Sequence, residues 1–101
     1  MLFRSIIYAQ SDSMASGARM ALKRAGSDLQ KISIIGIDYI SEAQIAIRAG
    51  EQDASLTYPT GGKEGAHYVL QILTGEKVPK KVVIDSEMVT IENVEQVKPI
   101  F

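Results

Sequence analysis

The stretch Ile32-Ser33-Ile34-Ile35-Gly36-Ile37-Asp38 decides the fold. It sets four isoleucines in six residues and then stops on a carboxylate. β-Branched side chains are stiff at χ1 and pack well on a pleated surface, so the run reads as a strand rather than a helix. Apolar residues at odd and even positions alike predict burial on both faces, the pattern of a parallel strand covered by helices on each side. Asp38 then stands at the carboxyl end of the strand, where open α/β sheets hold ligands. A turn or helix-capping role is the ordinary alternative for an Asp in that place.

The flanking sequence supplies the partners. Ile6-Ile7-Tyr8-Ala9 reads as a preceding strand that ends in Gln10-Ser11-Asp12. Met14, Ala18, Ala21, Leu22 and Ala25 then form one apolar stripe of a helix over 13–25. Asp12 is placed to N-cap that helix, and Gly26 to end it in the left-handed conformation. After the central strand, Ser41 and Gln44 have the spacing of a capping box for a helix over 41–49. Its Ala43, Ala46 and Ile47 share a face, and Gly50 ends it. Residues 54–57 read as a third strand closed by Tyr58-Pro59. Residues 61–74 read as a third helix, striped by Ala66, Val69, Leu70 and Leu73 and ended by Gly75. A polar connector, short extended pieces at 82–84 and 88–91, and a helical turn over 92–97 complete the chain. Strand and helix alternate three times, which predicts an α/β fold with a Rossmann-like or flavodoxin-like parallel sheet, flanking helices and right-handed crossovers.

Composition narrows the function. The chain has 101 residues, enough for one domain, with 46% apolar and 23% charged residues, an ordinary globular balance. A net charge of −1 with no basic stripe argues against a nucleic-acid partner. No cysteine is present, so disulfide and thiol chemistry are out and the compartment stays open. The single histidine, His67, lies off the apolar stripe of its helix and reads as a solvated residue, so neither a metal nor another cofactor is expected. No run is long enough for membrane insertion. Met1-Leu2-Phe3-Arg4-Ser5 lacks the long apolar region of a secretory signal, which leaves either a cytoplasmic protein or one whose true N-terminus is missing.

In a parallel sheet the strand ends converge, and each strand here delivers polar groups to that edge. Ser11 and Asp12 follow the first, Asp38 and Tyr39 the second, Tyr58 the third. An ionised Asp accepts two hydroxyl protons in charge-assisted bonds, and a Tyr adds stacking area and a hydrogen bond, so the set suits a polyhydroxylated ligand as well as ordinary capping. Gly61-Gly62-Lys63-Glu64 fails as a phosphate loop, because Thr57 and Glu64 hold the places of a Gly and a Ser/Thr. No G-x-G-x-x-G follows any strand, and no nucleophile-histidine-carboxylate set can be assembled.

Tyr8 to Ala18 resembles the "aqNDxMAxGA" segment of ribose-type periplasmic sugar-binding proteins, the type I periplasmic binding proteins. Ile35-Gly36-Ile37-Asp38 is similar to their "VVGFD", residues 47–55 to "aIkaGkldATv", and residues 73–79 to "LlkGekVP". The resemblance runs in order from Ile6 to the carboxyl end and is that of a carboxy-terminal segment, with residues 1–5 an unmatched lead-in. It implies two α/β lobes with a monosaccharide in the cleft between them. Residues 6–57 would belong to one lobe and about 59–85 to the other, with 86–101 a return segment. Asp38 stands where the family's ligand-binding Asp stands, Ser11 where an Asn is usual, and Tyr58 where ribose binders carry a Gln at a hinge crossing. The departures at Ser11 and Tyr58 leave the sugar open. The implied function is the non-enzymatic, periplasmic solute-binding component of an ABC-type sugar importer, with the permease as partner. The alternatives are the effector domain of a lactose-repressor-type regulator, for which Ser11-Asp12 fits, and the periplasmic sensor domain of a receptor kinase. An enzyme of flavodoxin-like fold has only the sheet in its favour.

Overall fold

The computed structural model describes residues 5–101, so the first four residues of the unmatched lead-in lie outside it. Strand β1 (Ser5–Tyr8), helix α1 (Asp12–Arg24), strand β2 (Ile32–Asp38), helix α2 (Ser41–Arg48), strand β3 (Ala54–Thr57), helix α3 (Gly62–Leu73) and strand β4 (Met88–Thr90) follow in order. The strands form one sheet in the order β1-β2-β3-β4. The first three are parallel, as expected, with Ile7 opposite Ile34 and Gly36 opposite Ser55. β4 adds an antiparallel edge and sets Val89 opposite Ser55. Residues 82–84 join no strand, and 92–97 form hydrogen-bonded turns.

Right-handed crossovers between strands in sequence order place both linking helices on one face of the sheet. The packing agrees. Ala15 of α1 lies against Ile34, with Ile7 and Leu22 beside them. Ala43 and Ile47 of α2 lie against Val89, Tyr39 and Val94, and the register directs Ile34 and Val89 to the same face. The opposite face carries Ile6, 67% exposed, with Tyr8 and Met88 also open. The two-sided cover expected for β2 is therefore one-sided among the described residues, a consequence of the strand order.

Helix α2 follows its expected stripe, with Ala43, Ala46 and Ile47 buried. Helix α1 does not. Met14, Ala21 and Ala25 are exposed, and the buried face is Asp12, Ala15 and Arg19. Two of those three are charged, so apolar periodicity alone misplaces the face. The cap is also corrected: Ser11 is the N-cap, its Oγ accepting from the Met14 amide at 3.1 Å, while Asp12 is the first helical residue. The capping box at Ser41 and Gln44 does not form. Ile40 is the N-cap of α2 without a side-chain bond, because Ser41 Oγ donates to the Phe101 carbonyl at 2.7 Å and Gln44 Nε2 to the Val94 carbonyl at 3.4 Å. The glycine stops at 26, 50 and 75 do hold; each has φ between +73° and +81°, a conformation that costs glycine least.

Helix α3 buries none of its residues, and Leu73 is 77% exposed. It leaves the sheet through a narrow neck. The Thr57 amide donates to the Glu87 carbonyl at 2.9 Å, the Glu87 amide to Thr57 Oγ1 at 2.8 Å, and Ser86 Oγ to the Thr57 carbonyl at 2.6 Å. The molecule is accordingly elongated, 61 × 25 × 23 Å.

Candidate functional site

The carboxyl edge of the parallel strands carries the strongest local anomaly in the fold. Asp38 has φ +103° and Tyr39 φ +56°, the only non-glycine residues with positive φ among those described. Such conformations cost about 1–3 kcal/mol each and persist where surroundings enforce them, most often at ligand sites. The enforcement is visible on both sides of the turn. The Tyr39 ring is fully buried against α2, its hydroxyl donating to the Val97 carbonyl at 2.9 Å. The Ile100 amide donates to the Tyr39 carbonyl at 3.0 Å. From the sheet side, the Tyr39 amide donates to Ser55 Oγ at 3.1 Å and the Ile40 amide to Asp12 Oδ2 at 3.2 Å.

Asp38 and Tyr58 line one cleft of about 200 Å³ together with Thr57, Pro59, Lys98 and Ile100. This is smaller than the roughly 300–1,000 Å³ of enclosed small-ligand pockets. Asp38 is half-buried and Tyr58 exposed, and both residues line this cleft. Ser11 lies at the same sheet edge, half-buried, but is not part of this cleft's wall. Lys98 escaped the sequence reading because its place beside Asp38 depends on the return of the carboxyl segment, which carries no local signal.

Beneath the turn lies a buried polar network that the sequence reading also missed. Asp12 accepts from Gln52 Nε2 at 3.0 Å and from Ser55 Oγ at 2.8 Å, besides the Ile40 amide. Arg19 donates to Gln52 Oε1. All four side chains are buried and none lacks a partner. The signal that could have found them is the spacing of Asp12 and Arg19, two turns apart on one helical face.

Burial holds the Tyr39 phenol above its ordinary pKa, opposed in part by the neighbouring Gln44 amide. On the outer surface, the Arg48 guanidinium grips Glu95 with bonds of 2.7 and 2.8 Å, lowering the Glu95 carboxyl and raising Arg48. Among the described residues no group of His, Asp and Glu side chains is placed to hold a metal, and no helix is long and apolar enough to cross a membrane.

The mostly parallel four-strand sheet with its flanking helices has the α/β arrangement of a periplasmic-binding-protein lobe, and comparison with known proteins gives the family. No family-level sequence model matches the chain. It is 38% identical over 89 residues to a candidate rhizopine-binding protein of Rhizobium meliloti, covering 86% of this chain and 29% of that protein. It is 33% identical over 86 residues to the ribose import binding protein of Haemophilus influenzae, covering 83% and 28%. Among solved structures it matches the fructose-binding periplasmic domain of a hybrid two-component system, with TM-score 0.82, 28% identity and coverage of 90% and 31%. It also matches a Caulobacter myo-inositol binding protein, with TM-score 0.77, 32% identity and coverage of 91% and 32%. The chain belongs to the ribose-type, or type I, periplasmic sugar-binding protein family. It spans under a third of the length of these relatives.

Proposed function

We propose that this chain forms one wall of a monosaccharide-binding cleft in a non-enzymatic solute-binding protein, located in the periplasm and serving an ABC-type sugar importer through its permease. Asp38 is the principal acceptor of sugar hydroxyls, Tyr58 the flanking phenol and Ser11 a further hydroxyl at the edge. The observation that carries the reading is Asp38 itself: an acidic residue at the end of the central parallel strand, on left-handed backbone, lining one cleft together with Tyr58. The relatives that bind ribose and myo-inositol support a polyhydroxylated ligand.

The same reading divides the chain into lobes. Residues 6–57 build one lobe, about 59–85 belong to the other, and 86–101 return. The narrow neck between Thr57 and Ser86-Glu87 and the unburied α3 support that division. A second reading, a periplasmic sensor domain, draws on the likeness to the fructose-binding domain of a two-component system. Calorimetry on the two-lobed protein tests the site. Asp38→Ala leaves two hydroxyls without an acceptor and is expected to weaken sugar binding by about 2–4 kcal/mol. Unchanged affinity would mean that Asp38 only shapes the turn.

A further inference from the structure

Asp12 has no opening to the cleft. It is 1% exposed and lies across the sheet face beneath the Asp38–Ile40 turn. A carboxylate at that depth is unfavourable unless donors surround it, and an apolar side chain would fill the space more simply. Two of its bonds lead to the backbone just past Asp38. One comes directly from the Ile40 amide; the other runs through Ser55 Oγ, which donates to Asp12 and accepts from the Tyr39 amide. Both amides leave the β2 ladder because the backbone turns left-handed at Asp38 and Tyr39. The sheet is cut away to admit the carboxylate: a Cβ on Gly36 would stand 2.1 Å from Asp12 Oδ1. Arg19, itself 7% exposed, reaches Asp12 through the Gln52 amide, which places a buried positive charge one residue from the negative one.

We propose that Asp12 is a positioning residue for Asp38. It holds the left-handed turn through Ser55 and the Tyr39 and Ile40 amides, so that the Asp38 carboxylate is aimed before any sugar arrives. Arg19 balances its charge through the Gln52 amide that bridges them. Holding the acceptor in its bound geometry removes an ordering cost from the binding step. The functional meaning of this assignment rests on the reading of Asp38 as the sugar acceptor, but its test needs no sugar.

Amide hydrogen exchange, followed by NMR on the 101-residue chain, compares the native protein with Asp12→Asn, Ser55→Ala and Ser55→Thr. The reference is the Ala9 amide, which bonds the Ile35 carbonyl at 2.8 Å in the β1–β2 ladder. Exchange is expected to rise about tenfold relative to Ala9 at Tyr39 in Ser55→Ala, whose lost hydroxyl bonded that amide, and at both Tyr39 and Ile40 in Asp12→Asn. Ser55→Thr keeps the hydroxyl and is expected to keep the native ratio. If Asp12→Asn does not fold, the two Ser55 variants decide. A ratio in Ser55→Ala within about twofold of native overturns the proposal, whether the turn stays protected or Ala9 loosens equally. Failure of the sugar reading shows up separately, as undiminished affinity in Asp38→Ala.

Discussion

At Gly36 the sheet omits a side chain so that the Asp12 carboxylate can enter. Gly36 is buried, and even the smallest added group would press on Asp12 Oδ1 at 2.1 Å and on Gln52 Nε2 at 3.0 Å. Gly36→Ala is therefore expected to cost about 3 kcal/mol, through overpacking and a broken buried network, read as a lower urea midpoint with an unchanged slope. A loss below about 0.5 kcal/mol would mean that Asp12 can swing away freely. Neither half of this pair is legible alone. Glycine in an isoleucine run reads as a gap in packing, and Asp after a strand reads as a cap. Only the contact between them explains why both residues are what they are.

Between elements, the carboxyl segment does more than its weak pattern announces. Ser41, Gln44 and Arg48 of α2, and Tyr39 just before it, all bond to residues 94–101. This is why the capping box read from Ser41 and Gln44 fails: both side chains are recruited by a segment some fifty or more residues away. Tyr39→Phe removes the donor to the Val97 carbonyl and is expected to cost about 1–2 kcal/mol near neutral pH. The pH dependence has a definite sign. The folded state holds the Tyr39 phenol above its unfolded value, so its contribution is full below the ordinary phenol pKa and is lost as pH rises through the raised one. The stability difference between native and Tyr39→Phe should thus shrink on the alkaline side. Urea titrations at neutral and alkaline pH check this, and a constant difference would sink it.

For the whole molecule, the decisive facts are the open cleft, the bare sheet face and the unburied α3. A sugar in a cleft with one wall stays largely solvated, so its hydrogen bonds compete with water for little net gain. Titrating the 101-residue chain with ribose, galactose, xylose and fructose should show no saturation below the millimolar range, since a few exposed hydrogen bonds contribute only about 1 kcal/mol each. Micromolar binding of any of the four would show that one wall suffices. The sequence by itself determined the alternation of strand and helix, the parallel pairing of the first three strands, the glycine stops and the placing of Asp38 at a strand end, because periodicity, β-branching and left-handed glycine are local properties. Tertiary structure alone decided which face of α1 is buried, that both helices cover one side of the sheet, that Asp38 and Tyr39 turn left-handed, and that Lys98 joins Tyr58 at the cleft. Those outcomes depend on charged side chains finding partners across the sheet and on a carboxyl segment returning to it, and such long-range pairings leave no period in the sequence.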